Sequence, residues 1–542
     1  MKKKFATMLS LLIVFASLGF AQPAFAAAVP ETKALGYAAG YEHVLAVKTD
    51  GTVWGWGANA NAQLHSTLNQ FVTSPAKLEG LKDIVSVAAG FSTSMALDKE
   101  GAVYVWGNKS GVAKVDGFNS SIVKVAASNE AYLALQSDGL VYQWEFDGVP
   151  SLVDVPRAID IAAGANHFLV LTAQGRVYCW GDNSFGQLGD GTTTDRAEPQ
   201  AVNGVYEVLS VGTGNNHSFA VTRTGDIYGW GNNRDGQVGV GHLSDVIRKP
   251  EKLTVSEKIA SATGGDRHSL ALTAGGKLYS WGNAEYGQLA TGKLEVSSSP
   301  KAATTAATFD SIVAGANFTV ASRGGGLFTS GRNNNGQLGS GSQENALSLD
   351  KEILRIKSAY AYNIDVLKGI SAWARSDAQK LYDGGITPFG VLWGFKSNIT
   401  RAEFAALLIS SYEVKKGEIA DYGDNPFSDT NETPFSLEIT KANKLGIVNG
   451  KSSDIFDPDA AVTREEAAKM LSITHTMIRG KAFPETVNVA VPYADASKIA
   501  TWAMPYVAYA YDSKILQGSG TGFAPKSNMT REAAMVAVYR MS

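Results

Sequence analysis

Short hydrophobic runs recur through the first two thirds of the chain and are separated by turns rich in glycine and aspartate. Two of these runs, 168–171 and 176–180, contain many β-branched and aromatic residues and flank a Thr-x-x-Gly turn. Such runs are typical of β-strands joined by tight turns. The pattern therefore predicts a strand-rich part that extends over residues 34–364.

The strand pattern repeats seven times, most clearly in the units 159–191 and 208–241. The turn glycines of the units are Gly51, Gly101, Gly139, Gly175, Gly225, Gly276 and Gly325. Successive glycines are 50, 38, 36, 50, 51 and 49 residues apart, so the second and third units are shortened. A unit of this size forms one propeller blade, whose sheet faces need neighbours in a closed ring. We expect segment 352–369, which resembles the start of a unit, to pair with the N-terminal unit.

Six units carry a tryptophan at the same place, and Ser330 takes that place in the seventh. The six residues are Trp56, Trp106, Trp144, Trp180, Trp230 and Trp281. One large aromatic residue per blade suits packing between blades, so we interpret these residues as core. Cys179 lies inside a strand-like run and is interpreted as a small buried hydrophobic residue.

Histidine also recurs at one position of the unit, at His43, His167, His217 and His268. One histidine per blade would distribute them around a ring, and no carboxylate or thiol recurs at metal-ligand spacing. We therefore expect a structural hydrogen bond from each imidazole to a neighbouring turn. The Gly-Gln-Leu-Gly runs at 186–189 and 336–339 are interpreted as turns, because no helix follows them to bind a phosphate. The sequence indicates no metal site, no cofactor and no catalytic residue.

From about residue 365 the hydrophobic spacing becomes helical, and three similar segments follow. Two of them contain a Thr-x-x-Glu capping box, Thr400 with Glu403 and Thr463 with Glu466, which predicts the start of a helix. The hydrophobic residues on one face of the first of these helices are Phe404, Leu407, Leu408 and Tyr412. We expect this face to pack inward.

An arginine follows the threonine in all three segments, at Arg401, Arg464 and Arg531. In the first turn of a helix the macrodipole disfavours a cation by about 0.3–1 kcal/mol. Three such placements suggest an anionic ligand, because a guanidinium beside free helix N–H groups suits a carboxylate. The alternative is a salt bridge from each arginine to a neighbouring protein carboxylate.

The motifs AAGxxHxxxL, DGxVYxWG and GQLGxG together resemble the regulator of chromosome condensation repeat family across the strand-rich part. The resemblance implies a seven-bladed β-propeller. We do not expect the eukaryotic activity of that family, nucleotide exchange on a small GTPase, in this chain. A secreted bacterial inhibitor of β-lactamases is a similar propeller that binds a protein through loops on one face, and a fold alone does not define the partner.

The three C-terminal segments, 365–424, 425–480 and 490–542, resemble S-layer homology domains. The resemblance implies a three-lobed, mainly helical module that binds pyruvylated secondary cell-wall polysaccharide in grooves between its lobes. The residues expected to bind this glycan are Arg401, Arg464, Arg531, Trp373, Trp502, Gly385 and Gly446.

The three segments depart from one another at several positions. Pro434 replaces the tryptophan of the other two segments, Lys514 replaces the glycine, and Phe395 replaces a proline. Ala533 stands where the third capping glutamate would be. Not every groove is therefore expected to function, and Arg464 ranks first because the second segment keeps both the Thr-Arg-x-Glu and the Phe-x-Pro elements.

The N-terminus has the three parts of a secretory signal peptide: lysines at 2–4, an apolar run at 9–20 and Ala-Phe-Ala at 24–26. We expect residues 1–26 to be removed and the mature protein to act outside the cell, without a membrane anchor. The net charge of -3 and the pI near 6.2 give no attraction to nucleic acid or to an anionic membrane.

Three functions follow from these features. The first is a non-catalytic protein at the bacterial cell wall or S-layer surface, whose propeller binds a protein or glycan. The alternatives are a secreted propeller enzyme that acts on polysaccharide and a secreted inhibitor of an enzyme. We favour the first, because the sequence contains no nucleophile elbow, no metal-ligand spacing and no defensible Ser-His-Asp order.

Overall fold

Seven four-stranded antiparallel sheets follow one another along the strand-rich part of the chain in the computed structural model. The structure describes residues 33–64, 69–118, 121–303, 307–356, 360–361, 367, 369–384, 386–387, 391, 394–417, 419, 422–430, 433, 435–484, 486–487, 489–518 and 522–542. The predicted signal peptide, 1–26, lies outside these residues. Each sheet is one blade, which confirms the seven-bladed propeller.

The strands of the first blades, after an initial β1 (Lys33–Ala34), are β2 (Tyr37–Ala39), β3 (His43–Val47), β4 (Val53–Ala58), β5 (Phe71–Leu78), β6 (Ile84–Ala89), β7 (Thr93–Asp98), β8 (Val103–Gly107), β9 (Ser110–Val115), β10 (Ile122–Ala127), β11 (Ala131–Gln136), β12 (Val141–Glu145), β13 (Ser151–Leu152), β14 (Ala158–Ala163), β15 (His167–Thr172), β16 (Val177–Gly181) and β17 (Arg196–Ala201). The remaining strands are β18 (Val208–Thr213), β19 (His217–Thr222), β20 (Ile227–Asn232), β21 (Val246–Lys252), β22 (Ile259–Gly264), β23 (His268–Thr273), β24 (Leu278–Gly282), β25 (Ser297–Ala302), β26 (Ser311–Ala314), β27 (Phe318–Arg323), β28 (Gly326–Gly331), β29 (Glu352–Arg355) and β30 (Tyr360–Ala361). The blades run from β2–β5 to β26–β29 in groups of four.

The repeated tryptophans lie between neighbouring blades, and all six are at most 5% exposed. Their interpretation as core is therefore confirmed. Cys179 is also buried, opposite Leu169 in the β15–β16 pair. Burial raises the pKa of the Cys179 thiol well above its usual value, which makes it an unreactive packing residue.

One hydrogen-bond network links neighbouring blades. Between the fourth and fifth blades, His167 Nε2 lies 2.9 Å from Ser218 Oγ. Ser218 Oγ and Trp230 Nε1 both donate to the backbone carbonyl of Gln187, at 2.9 and 2.8 Å. Because the Ser218 hydroxyl hydrogen points to that carbonyl, the imidazole donates through Nε2. The Gly-Gln-Leu-Gly turn thus supplies the acceptor at the centre of the network.

The same network recurs at three more junctions between blades. Its members are His43, Ser94, Gln63 and Trp106; His217, Ser269, Gln237 and Trp281; and His268, Thr319 and Gln288. The expected partner of the histidines was wrong in one respect. Each imidazole bonds a hydroxyl of the next blade rather than a turn, because the ring is fully buried and needs a polar partner there.

The histidine and the serine or threonine that it bonds occur together or not at all. Where the second and third blades have Thr93 and Ala131 in the histidine position, the following blades have Tyr132 and Phe168 in the hydroxyl position. These aromatic rings lie against the blade tryptophans, at 5.4 Å between centroids in both cases. The two shortened blades therefore replace the polar network by aromatic packing.

The ring closes without exchange of strands between the first and last blades. Trp56 Nε1 of the first blade donates to the carbonyl of Gln337 in the last, at 3.0 Å. The expected pairing of segment 352–369 with the N-terminal unit is confirmed for β30, which pairs with β1. It is wrong for β29, which pairs with β28 and so covers the outer edge of its own blade.

The helical part contains α1 (Ala372–Asp383), α2 (Arg401–Lys416), α3 (Ser436–Lys444), α4 (Arg464–Ile478), α5 (Met504–Asp512) and α6 (Arg531–Met541). The first helix of each segment packs on the second helix of the preceding segment: α3 on α2, α5 on α4 and α1 on α6. Helices α2, α4 and α6 meet in the centre. No helix in the described ranges is long and apolar enough to cross a membrane.

A triangle of backbone hydrogen bonds joins the three segments just before the central helices. The N–H of Ile399 donates to Met529, the N–H of Met529 to Val462, and the N–H of Val462 to Ile399, at 2.9, 2.8 and 3.2 Å. Each segment therefore donates to one neighbour and accepts from the other. This cyclic arrangement gives the module a pseudo-threefold axis.

The start of α2 follows the sequence closely. Both predicted capping boxes are present, at Thr400 with Glu403 and at Thr463 with Glu466. Phe404, Leu407 and Leu408 are buried, as expected, while Tyr412 is half-buried. The expectation that only one face of α2 is buried is wrong, however. The residues of the opposite face, Ala405, Ala406 and Ile409, are buried too, because α2 lies between α4 and α6.

Acid should destabilise the propeller through its buried histidines. Burial lowers the pKa of His43, His217 and His268 to about 3 and that of His167 to about 4. The unfolded chain therefore binds more protons below pH 6.5, and folded-state stability falls as the pH drops from there. Each histidine should lower the free energy of unfolding by up to about 2 kcal/mol as the pH falls from 6.5 to about 5.

Thermal unfolding of the full chain from pH 7.5 to 5 measures this loss. His217→Gln should lower the melting temperature at pH 7.5 and reduce the pH slope by about a quarter, since one of four similar groups is removed. The matched control is His242→Gln, which changes an exposed histidine of the same blade. An unchanged slope in the His217 variant would contradict the assignment.

Candidate binding sites in the helical module and the propeller

The three arginines of the Thr-Arg elements lie at the boundaries between segments. The backbone N–H of Arg401 donates to Ala460, and that of Arg464 donates to Ser527, each at 2.9 Å. Arg531 makes the equivalent bond to Ser397 at 3.0 Å. These three backbone N–H groups thus already donate to carbonyls of the neighbouring segment. The expectation that free helix N–H groups help to bind an anion is therefore wrong for them.

The side chain of Arg464 is held by neutral acceptors. Its Nε donates to the carbonyl of Phe523 and its Nη2 to the carbonyl of Gln517, both at 2.7 Å. The guanidinium carbon lies 5.0 Å from the centre of the Phe523 ring. Within the described part of the chain, the other guanidinium N–H groups have no hydrogen-bond partner. Burial lowers the pKa of Arg464, while nearby Tyr493 and Asp495 oppose that effect.

Arg401 has the same geometry at the preceding boundary. Its Nε and Nη2 donate to the carbonyls of Phe456 and Asn449, at 3.0 and 2.8 Å. Its guanidinium carbon lies 4.6 Å from the centre of the Phe456 ring. Burial lowers the pKa of Arg401, and the charge of Glu466 opposes that effect.

Arg531, in contrast, is turned inward and paired with a carboxylate. Its Nε lies 3.0 Å from Glu403 Oε2 and its Nη2 lies 2.6 Å from Glu403 Oε1. Arg531 is 8% exposed and Glu403 is equally buried. For this arginine the alternative of a protein salt bridge describes the structure.

The difference follows from one sequence position. The capping glutamate of each segment faces the arginine of the preceding segment: Glu403 pairs with Arg531, and Glu466 acts on Arg401. By the same symmetry Ala533 occupies the position that faces Arg464. The three boundaries therefore differ in the residue that faces the arginine: a bonded glutamate at Arg531, a nearby glutamate at Arg401 and an alanine at Arg464, where Asp495 is the nearby carboxylate.

Two aspartates that sequence reasoning did not assign hold the loops beside Arg401 and Arg464. Asp429 accepts from the N–H groups of Phe456 and Asp457, at 2.9 and 2.7 Å. Asp495 accepts in the same way from Phe523 and Ala524, at 2.7 and 2.8 Å. These bonds lower the pKa of Asp495, and they aim the phenylalanine carbonyls at the arginines. In the sequence, each aspartate is the third residue of a similar motif, FSDT at 427–430 and YADA at 493–496.

The other predicted glycan-binding residues differ in their exposure. Trp373 on α1 and Trp502 just before α5 are 57% and 49% exposed. Gly446 has a φ of 69°, and no atom lies within 4 Å of where its Cβ would stand. Lys514 has a φ of 60° at the equivalent position, so this site is a turn that ends a helix. Gly385 and Pro434 lie outside the described residues.

The propeller has a central channel of about 400 Å³, lined by the innermost strand of every blade. Its mouth carries Tyr41 and Phe91, whose ring centres are 4.6 Å apart. Inside the channel, Lys124 forms an ion pair with Asp160. In the described ranges, no group of three or more His, Cys, Asp or Glu residues is placed to hold a metal ion.

Among curated proteins, the ultraviolet-B receptor UVR8 of Arabidopsis thaliana is 30% identical over 262 residues, which cover 47% of this chain and 54% of that protein. The human RCC1 domain-containing protein 1 is 30% identical over 199 residues, 33% of this chain and 53% of that protein. The chain thus spans about half the length of these relatives. An endoglucanase of Bacillus sp. (strain KSM-635) is 33% identical over 137 residues, which cover 25% of this chain and 14% of that enzyme.

Among solved structures, Prp20p of Saccharomyces cerevisiae has a TM-score of 0.50 at 24% identity, with 55% of this chain and 85% of that chain covered. Yeast RCC1 (Prp20) in complex with Kap60 has a TM-score of 0.51 at 21% identity, with 70% and 98% covered. At these identities the likeness establishes the fold alone.

Two family models match the chain. The RCC1-like domain matches residues 18–364, and the S-layer homology domain matches residues 426–468 and 492–535. The S-layer homology matches fall within the second and third of the three C-terminal segments. The chain belongs to the RCC1-like domain family and carries S-layer homology domains in its helical C-terminal part.

Proposed function

We propose that this chain is a non-catalytic protein of the bacterial cell surface, which its helical module holds to pyruvylated secondary cell-wall polysaccharide while its propeller binds a protein or glycan. S-layer homology domains indicate anchoring at the bacterial cell surface. The proposal includes secretion by the signal peptide at 1–26. It also treats 365–424 as a third S-layer homology domain, because its helices occupy the third position around the pseudo-threefold axis.

The observation that carries the proposal is the unneutralised guanidinium of Arg464. Two backbone carbonyls fix its orientation, and within the described residues no carboxylate contacts it. An acidic sugar can therefore add the missing negative charge through the remaining N–H groups, as a charge-assisted hydrogen bond. The carboxylate of a pyruvate ketal has this chemistry.

The three boundaries are not equivalent as glycan sites. We place the main site at Arg464 and a weaker site at Arg401, where Glu466 competes with an external carboxylate. Arg531 has a structural role, because binding an anion there would require breaking its pair with Glu403. The exposed rings of Trp373 and Trp502 offer flat apolar surfaces on which sugar rings can stack.

Binding rather than catalysis is the function that fits the propeller. The two carboxylates of the channel already have partners: Asp160 pairs with Lys124, and Asp310 accepts from the N–H of Gly324 at 2.7 Å. Two of the similar curated proteins are named as a receptor and as an RCC1 domain-containing protein, and neither name states a catalytic activity. The similarity to the endoglucanase covers 14% of that enzyme and gives no argument for catalysis.

Arg464→Ala should weaken binding of the full chain to purified pyruvylated wall polysaccharide by at least about tenfold, since it removes a charge-assisted hydrogen bond. Isothermal titration calorimetry measures this change. Chemical removal of pyruvate from the glycan provides the control. It should weaken binding of the wild type much more than the residual binding of the variant, which keeps the weaker site at Arg401. If pyruvate removal affects both proteins equally, Arg464 does not bind the ketal.

Ala533→Glu should lower affinity for the same glycan, because the new carboxylate faces Arg464 as Glu403 faces Arg531. The matched control is Ala533→Gln, which can also complete the capping box of α6 but adds no charge. Both variants should be at least as stable as the wild type. Equal glycan affinity in the two variants would count against the role of the residue that faces Arg464.

Arg531→Ala should destabilise the module rather than remove a glycan site. It leaves the buried Glu403 carboxylate without its cation, which costs about 3–5 kcal/mol in comparable pairs. Urea unfolding of the full chain measures the loss. Arg479→Ala, which alters an exposed arginine of the same module, should cost less than about 0.5 kcal/mol. A loss below about 1 kcal/mol for Arg531→Ala would argue against a structural pair.

A further inference from the structure

The two shortened blades lack the turn that covers the next blade in the rest of the propeller. In five blades this turn buries an aliphatic side chain and presents the preceding carbonyl. The five aliphatic residues are Leu64, Leu188, Val238, Leu289 and Leu338. In the second blade a turn at 108–109 joins β8 directly to β9. In the third blade residues 146–150 join β12 to the short strand β13.

The indole N–H of Trp144 lacks the carbonyl acceptor of the other blades as a result. Trp56, Trp106, Trp230 and Trp281 donate their Nε1–H to the carbonyl of a Gln-Leu or Gln-Val turn in the preceding blade. Trp144 is 5% exposed, and no hydrogen-bond partner of its Nε1 is found among the residues that the structure describes. The atom is not one of the fully buried polar atoms without a partner, so its N–H is open to the groove that Trp144 lines, where an acceptor of a ligand can bond it.

Trp180 follows the other shortened blade, yet it is satisfied. Its Nε1 donates to Gln143 Oε1 at 2.8 Å, so a side chain of the third blade replaces the missing turn. The second blade has Val105 in the position of Gln143, and a valine side chain cannot accept a hydrogen bond. The acceptor for the tryptophan N–H is therefore missing at the junction between the second and third blades, and not at the next junction.

A groove marks this junction. It is a cavity of about 450 Å³ lined by Trp144, Phe146, Val149 and Pro150 on one side and by β9 on the other. Val149, which lines it, is 81% exposed, and Leu152, which lines the adjoining cavity beside the third blade, is 57% exposed. We call this surface the 2–3 groove. It has the size of a small-ligand site and the apolar character of a side-chain pocket.

The rim of the 2–3 groove is acidic. Five carboxylates and one lysine line it and the adjoining cavity beside the third blade: Asp116, Glu145, Asp147, Asp154, Glu198 and Lys114. All six side chains belong to exposed residues. A complementary partner is therefore cationic around an apolar centre.

We propose that the 2–3 groove binds a loop of a protein partner that inserts an aliphatic side chain, offers the preceding backbone carbonyl to Trp144 Nε1, and carries flanking lysine or arginine. Such a loop occupies the position that a Gln-Leu turn of this chain fills at five other junctions. The inference rests on the proposed function, since it specifies where and how the propeller binds a protein. An acidic wall glycan is disfavoured here by the carboxylate rim.

The test uses the full chain labelled with 5-fluorotryptophan and a synthetic peptide that copies residues 332–341, RNNNGQLGSG, which contains the buried turn of the last blade and one arginine. Titration should shift the fluorine resonance of Trp144, assigned with Trp144→Phe, and leave that of Trp180 in place. A peptide with Leu338→Ser should bind at least about tenfold more weakly. Val149→Ser, at an exposed rim position, should also weaken binding and gives a second variant that preserves the fold.

Four outcomes would overturn the inference. In the first, the Trp144 resonance does not change at up to about 5 mM peptide. In the second, the peptide shifts Trp144 and Trp180 equally. In the third, the Trp144 resonance shifts with protein concentration when no peptide is present, and in the fourth, wall polysaccharide shifts it. The third outcome would assign the groove to a second copy of the chain, and the fourth to glycan. Glycan binding that depends on Arg464 is measured separately, so a failure here leaves the proposed anchor standing.

Discussion

In five of the seven blades, one backbone carbonyl, that of the glutamine in the Gly-Gln-Leu-Gly turn or its counterpart, joins the blade to the next. It accepts the indole N–H of the following blade and, at four junctions, a hydroxyl that is itself bonded by a buried histidine. In the described part of the chain, neighbouring sheets share no ladder of hydrogen bonds, and this buried contact joins them together with single backbone bonds such as those from Ala165 to Asn215 and from Gly191 to Arg248. Where the turn is lost, aromatic rings and a groove replace it.

The sequence predicted most of what is local. The repeat of short strands, the capping boxes at Thr400 and Thr463, and the burial of the blade tryptophans all depend on residues close together along the chain, where pattern and propensity decide. It could not predict the partners of the histidines or the pairing of Arg531 with Glu403. Those contacts join groups that lie 51 and 128 residues apart, and only the folded arrangement shows which side chain faces which.

Symmetry gives the helical module three similar boundaries, and single substitutions make them different. The same backbone triangle supports all three, so the geometry around each arginine begins alike. The residue that faces the guanidinium then decides its chemistry: a glutamate that bonds it neutralises the charge, and an alanine leaves it available. The sequence had already shown Ala533 as a departure from the pattern. The effect of Ala533 is on the neighbouring segment, because the start of α6 faces Arg464 of that segment.

The packing of each first helix on a helix of the neighbouring segment limits how the C-terminal part can evolve. Because α1 packs on α6 and each other first helix on the helix before it, no segment forms a self-contained unit. Deleting one segment, or adding a fourth, would leave an apolar helix face without its neighbour. Duplication and loss should therefore proceed in whole triplets, and the module should be inherited as an indivisible cassette.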